Sequence, residues 1–430
     1  MAPGDSKCST TMMHVQRFSS LESLQPLRDA WRVLSRGAPM MSPAWLESWW
    51  RAYGSGDAQR QLYVVGVLDE AGQLAALAAW YLHRSKSKGR VLRFLGSGEV
   101  CSDHLSVLCR DDRTTAFQAV DHRTMAFQAV DQIDRLEAHR TGGDRLEAYR
   151  TMALDALADW LAAHSDARNT SDSADRWDLL ELTGVDADDP VIVRLATAMQ
   201  RRGYGLHHRP ATRCWRLELP PSWDEYLARL SKGHRKQVRR LVRDPFASGR
   251  AVLHTLDDER QIDEYLDTLI DLHQRRRQSI GQPGCFASRP FSKFVRWATP
   301  ELWREGLLGL HVLKLDDRPI AAEYQIRGGG EVFAYQSGVD PERLDVQPGN
   351  LSSIATIRQA IDQGCRGLDF LRGDEPYKPH WGATPVETCE LRIVAPHASA
   401  RLRHAVWATG VQWRRLVKTG LSKTIGVAGG

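Results

Sequence analysis

Along most of its length the chain alternates between two hydrophobic rhythms. Short runs carry apolar residues at every second position, the period of a half-buried strand. Longer runs carry them three and four apart, the period of an amphipathic helix. Residues 21–35 and 43–53 thus predict helices, followed by strands at 61–68, 73–83 and 90–95, with a hairpin turn at Asp69-Glu70-Ala71-Gly72. Trp45, Trp49 and Trp50 form a wide aromatic face on the second helix, expected to pack into a core. A helix at 154–163, a polar linker at 164–174, a strand at 178–182 and a helix at 190–202 come next. A strand over 206–219 then leads into helices at 222–243, 262–280 and 291–303. A sheet starts at Leu307 and continues in two strands, 321–326 and 332–337, joined by Gly328-Gly329-Gly330. Asn350 is placed to cap a helix whose Leu351, Ile354, Ile357 and Ile361 share one face, and Gly364 stops it. A short strand at 368–371, a closing strand at 389–394 and a basic amphipathic helix at 402–417 finish the pattern.

Two segments stand apart from this alternation. Between 111 and 153 the chain repeats itself in two pairs of back-to-back decamers, too short and too few for a solenoid. A ten-residue step turns a helix by about −80°, so the copies cannot share a face, and the segment predicts a surface helix and loop without chemistry. The helix at 222–243 is strongly basic at its end, where Lys232, Lys236, Arg239, Arg240 and Arg243 cluster. Such a face suits a polyanion, cofactor phosphates, a tRNA or a membrane surface, as well as plain solvent.

Composition changes the picture little. The 430 residues suffice for about two domains. The net charge of +5 is too small to imply nucleic-acid binding by itself. Seven cysteines without a Cys-x-x-Cys pair read as reduced thiols in a cytoplasmic protein, with no zinc site and no disulfide framework. No run has the length of a membrane span or the core of a signal peptide. Cys101-Ser102-Asp103-His104 holds triad residue types, but neighbours on a strand face opposite ways, which favours a structural or cleft-lining role.

The chemistry concentrates in residues 368–382, where an apolar strand containing Asp369 runs into Arg372, Asp374, Glu375, Tyr377, Lys378, His380 and Trp381. Just before it, Gln347-Pro348-Gly349-Asn350-Leu351 forms a turn at a helix start, where free N–H groups and the helix dipole attract anions. Upstream, Glu323 sits among apolar residues of a strand, where burial raises a carboxyl pKa. It is a candidate general base, and a salt bridge to an arginine is the plainer alternative.

Strand, glycine turn, strand, anion turn, helix, strand is the order of the GNAT acyltransferase core. The segments 309–325, Tyr335-Gln336-Ser337-Gly338-Val339-Asp340, Gln347-Pro348-Gly349-Asn350 and 369–378 resemble the Fem/CelD-like branch of that superfamily. Tyr377-Lys378-Pro379-His380-Trp381-Gly382 is similar to the Phe-Lys-x-x-Phe-Gly signature of the Fem aminoacyltransferases, although the usual pyrophosphate loop holds more glycines than Gly349 alone. The resemblance implies an α/β (α+β) fold of two tandem GNAT-like domains, each a mixed, mostly antiparallel sheet flanked by helices. It places them at 1–205 and 206–400, with a tail helix in 401–430. It implies acyl transfer from acetyl-CoA or another acyl-CoA to an amine acceptor, without a metal. Glu323, Asp369, Tyr377 and Lys378 would be catalytic; Gln347, Gly349, Asn350, Leu351 and Arg372 would hold the cofactor; Tyr335, Gln336, Asp374 and Trp381 would meet the acceptor. The CelD-like likeness points to an amino sugar in exopolysaccharide or envelope synthesis. A Fem-type transfer from tRNA to a cell-wall precursor and a non-catalytic subunit of a polysaccharide machine are the alternatives, and the protein would act as a monomer or homodimer.

Overall fold

The computed structural model describes residues 12–110, 140–165 and 175–410. The duplicated decamers lie largely outside them, with residues 140–153 forming the first half of the helix Arg140–Ser165. The tail is described as a helix to residue 410, where Trp407 stacks on the Arg392 guanidinium at 3.6 Å and so packs on the body of the protein.

The strands of the first half are His14–Phe18 (β1), Arg60–Leu68 (β2), Leu74–Ser85 (β3), Gly89–Phe94 (β4), Leu108–Cys109 (β5) and Leu179–Asp186 (β6). Those that follow are Gly205–Pro210 (β7), Cys214–Glu218 (β8), Ala251–Thr255 (β9), Leu308–Leu315 (β10), Arg318–Gly328 (β11), Glu331–Val339 (β12), Gly367–Arg372 (β13), Thr384–Val386 (β14) and Thr388–Val394 (β15). They form two mixed, mostly antiparallel sheets flanked by helices. One runs β1-β2-β3-β4-β6-β15-β7, with β5 on β3, and the other β14-β8-β13-β12-β11-β10-β9. Each sheet contains one parallel pair, β4 with β6 and β12 with β13, bridged by a helical crossover: Arg140–Ser165 in the first and Pro348–Asp362 in the second. The two units therefore repeat one topology.

The sheets do not divide the chain in a single cut. Residues 206–219, expected as one strand, break after Pro210, whose ring donates no ladder hydrogen bond, into β7 on the first sheet and β8 on the second. The closing strand β15 crosses back and inserts between β6 and β7 of the first sheet. A boundary at 205/206 therefore misplaces both strands. The first unit takes β15 from beyond the whole of the second, and periodicity cannot show which sheet receives a strand.

Two helices also start differently from expectation. The basic segment is two helices, Trp223–Arg229 and Lys232–Leu241, because Leu230 turns extended and Ser231 caps the second through the His234 N–H. The helix after the anion turn begins at Pro348, with Gln347 rather than Asn350 at its N-cap and in the left-handed region at φ 56°.

One large apolar core runs through both units. It takes in Trp31, Trp45 and Trp49 of the first unit together with Phe291, Phe294, Tyr324 and Tyr335 of the second. Helices Pro43–Trp49 and Arg289–Arg304 pack together there, and the Trp45 ring meets Phe294 and Tyr335 edge to face at 4.7 and 4.9 Å. The opposite face of the second sheet packs on the helix Pro348–Asp362 through smaller clusters containing Val332, Ile354, Ile357, Leu368 and Phe370, and Ala321 with Leu351.

Candidate active site

The second sheet opens at its middle. β12 and β13 pair only from Glu331 with Gly367 to Phe333 with Asp369, then run on unpaired to Val339 and Arg372. A kink in β13 makes the split. Leu371 sits at φ 55°, a strained position for a bulky residue, and the Asp369 carboxylate accepts its N–H at 2.6 Å. Lys378 braces the same kink from the other side. It is buried, and its ammonium donates to the carbonyls of Leu371, Arg372 and Gly373 at 3.0, 2.9 and 3.0 Å, with Glu375 at 2.9 Å.

The helix Pro348–Asp362 starts beside this split. Its N-cap Gln347 carbonyl already accepts the N–H groups of Asn350 and Leu351, so among the first turn's donors the Gly349 N–H is left without an acceptor. A side chain at Gly349 would meet nothing nearer than Val339 Cγ1 at 4.0 Å, so packing within the protein does not require glycine there. Backbone approach by a ligand would. The Gln347 side chain accepts from Asn350 and from Gln237 of the basic helix, at 2.9 and 3.2 Å, which fixes that helix beside the turn. Among the described residues, Lys232, Lys236, Arg239 and Arg240 of this helix have no carboxylate within ion-pair distance.

On the helix-bearing face of the sheet, Glu323 of β11 accepts a hydrogen bond from Ser352 Oγ at 2.7 Å. Burial raises its pKa to about 7, outweighing the hydroxyl, which pulls it down. Among the described residues it has no salt bridge to an arginine. Tyr377, half exposed, meets Phe370 edge to face at 5.8 Å and lies near enough to Glu323 for the carboxylate to act on its phenol. Burial first, then the charges of Glu323 and Glu375, push the Tyr377 pKa up, against a smaller opposing effect of Arg277. Within reach of one another's charge are thus a carboxyl that titrates near neutrality and a phenol that keeps its proton, the two states a base and an acid require.

Several residues expected in this group stand elsewhere. Asp369 points to the opposite face, toward His104 of the first unit, because alternate strand positions face opposite ways and its neighbour Phe370 takes the helix side. Arg372 turns to the first unit as well, donating to Asp103 in an ion pair of 2.6 Å and to the Ser102 carbonyl. Tyr335 is a core residue whose hydroxyl donates to the Val100 carbonyl at 2.9 Å. Trp381 is buried against His234, and its carbonyl accepts from Tyr226. Asp374 accepts from Trp215 Nε1 at 3.3 Å, and Gln336 lies beside the Cys285 thiol at 3.5 Å. Lys378, with its protons on three carbonyls, shapes the split and has none left for a phosphate or an oxyanion. Ser352 and Arg277 were not foreseen. A serine on a helix face otherwise apolar was the available signal for the first, and the Arg275-Arg276-Arg277 run at a helix end for the second.

Residues 232–379 match the family model of the acetyltransferase (GNAT) domain. Over this segment the chain is similar to GNAT acetyltransferase domains. Among solved structures the chain is similar to FemX, at 11% identity and TM-score 0.55 over 89% of this chain and 98% of that one. It is also similar to a conserved protein of unknown function from Bacteroides thetaiotaomicron, at 10% identity and TM-score 0.51 over 89% of this chain and all of the other. These likenesses establish a shared fold. No curated protein sequence matches the chain. The matched segment starts at Lys232 of the basic helix and ends at Pro379, so it contains the split, the Gln347 turn, Glu323 and Tyr377. Among the described residues no helix is long and apolar enough to cross a membrane.

Proposed function

We propose that the protein transfers an acyl group from an acyl-CoA thioester to the amine of an acceptor, with an amino sugar of exopolysaccharide or envelope synthesis as the acceptor class. The observation that carries this reading is the buried Glu323 carboxyl, with the Tyr377 phenol within reach of its charge. Glu323, ionised above about pH 7, accepts the ammonium proton, directly or through water. Tyr377 donates to the leaving thiolate. The free amine adds to the thioester carbonyl, the C–S bond breaks, the thiol leaves with the phenol's proton, and the surplus proton on the new amide nitrogen passes to the Tyr377 phenolate and restores it. The Gly349 N–H and the dipole of the helix Pro348–Asp362 receive the pyrophosphate, and the neighbouring basic helix adds positive charge.

The test is thiol release from acetyl-CoA, followed with a colorimetric reagent across a panel of amino sugars. Amine-dependent release supports the reading, and none with any amine, under conditions where the thioester binds, contradicts it. The basic helix gives a further check. Replacing Lys236, Arg239 and Arg240 together by Glu is expected to weaken acetyl-CoA binding by about tenfold or more at low salt, with the difference shrinking as salt rises. A second reading, aminoacyl transfer from tRNA, draws support from the same helix, which carries more unpaired charge than a single cofactor needs. A wild-type protein that retards a tRNA pool but ignores acetyl-CoA would favour it.

A further inference from the structure

Between the two units lies a cavity of about 290 Å³, on the face of the second sheet away from Glu323. The acyl-transfer chemistry makes no use of it. Its walls mix apolar side chains from the 37–41 loop and Phe333 with Asp103, His104, Asp186, Arg216, Glu331 and Asp369. The polar groups are held in place. Asp103 is paired with Arg372, and Arg216 with Glu331 at 2.6 Å. His104, at φ 57°, stands between two carboxylates: its Nδ1 is 2.8 Å from Asp186, and its Nε2 is 3.3 Å from Asp369 without hydrogen-bond alignment.

The charges do not balance. Burial alone would keep the imidazole neutral, but the hydrogen bond with Asp186 and the Asp369 carboxylate beside Nε2 hold its pKa well above the ordinary value. Even with His104 charged, four carboxylates face three cations, counting Arg372, so the cavity keeps about one negative charge in a partly desolvated space. Asp186 is its most accessible carboxylate on the His104 side, with 28% of its side chain exposed. A small cation with further hydroxyls to donate to Glu331 and Asp369 would complete it. The volume is at the small end for ligand sites.

We infer that this cavity is a binding site for a protonated primary amine of about monosaccharide size, separate from the split where the acyl group is transferred. The ammonium sits against Asp186 and Asp369, and His104 is the competing cation that sets how strongly it is held.

The experiment is calorimetric titration of the full chain with glucosamine and, as its uncharged counterpart, N-acetylglucosamine. Glucosamine is expected to bind and N-acetylglucosamine to bind at least about tenfold more weakly, as removal of a charge at short range implies. Two variants should move affinity in opposite directions. Asp186→Asn should weaken glucosamine binding about tenfold, and His104→Asn, which tolerates the left-handed backbone, should tighten it several-fold. A purely structural role would make both variants weaker binders. Equal binding of the two sugars, weakening in both variants, or no binding at tens of millimolar overturns the inference. If Asp186→Asn fails to fold, His104→Asn alone still decides by its sign. Acetyl-CoA titrations on the same preparations read the split independently, so failure of this inference and failure of the proposed function are distinguishable.

Discussion

Glu323→Gln is expected to lower the turnover of acyl transfer by about 10²–10⁴-fold while leaving acetyl-CoA affinity nearly unchanged. The amide keeps the shape and can still accept from Ser352 Oγ, as the carboxylate does at 2.7 Å, so the loss would be that of the proton acceptor. The pH profile separates this from a packing defect. In the wild type the active, ionised form accumulates as pH rises through about 7, so turnover should climb across that range and then level. In the variant this limb should be absent. Stability gives the opposite slope. The folded-state pKa lies above the ordinary value of 4.5, so the folded protein holds a proton that the unfolded chain has released between about 4.5 and 7. This group's contribution therefore becomes less favourable as pH rises through that window. Glu323→Gln removes the penalty, and the variant should be relatively more resistant to urea at pH 8 than at pH 5. Turnover within twofold of the wild type, or a retained limb near pH 7, would remove Glu323 from the chemistry.

Lys378→Met should be the most damaging single change to the fold of the second unit. Methionine matches the length and apolar stem but leaves the carbonyls of Leu371, Arg372 and Gly373 without their shared donor in a buried place. Losing a buried, charge-assisted donor costs about 3–5 kcal/mol. The strained Leu371 would then be held by the Asp369 carboxylate alone, at 2.6 Å, and the split should relax. The expected result is a clear drop in the urea midpoint together with weaker acetyl-CoA binding. Lys378→Arg is the control, because its larger planar fork cannot point at three converging carbonyls and should rescue only partly. An unchanged midpoint with lost binding would return Lys378 to direct contact with the ligand.

How far the sequence leads depends on what kind of statement is asked of it. The repeated order of strands and helices, the turn at Gln347–Gly349 and the buried acid Glu323 follow from local pattern, and the fold brings Tyr377 within reach of the Glu323 charge. Roles in the 368–382 stretch were harder to derive, because closeness in sequence does not fix direction. Asp369 and Phe370 are neighbours that face opposite sides of the sheet, so one reaches His104 and the other Tyr377. Lys378 and Arg372 look like phosphate ligands by residue type, but the first is spent on backbone carbonyls and the second on Asp103 of the other unit. Tyr335 and Trp381 became core for the same reason that strand β15 changed sheets: long-range packing decides, and periodicity is blind to it. Cys101-Ser102-Asp103-His104, read as structural or cleft-lining, supplies two walls of the cavity between the units.

The measurement that bears most directly on the central claim is calorimetric titration of acetyl-CoA into the wild type and into Gly349→Asp. The split and the turn beside it should bind the thioester saturably in the wild type. The substitution adds a side chain and a negative charge where the pyrophosphate would lie, at a position with open space in the unliganded protein. Folding should therefore be intact and binding at least about tenfold weaker. Absence of binding to the wild type, or equal binding to both proteins, would contradict the assignment of this opening as the acyl-CoA site.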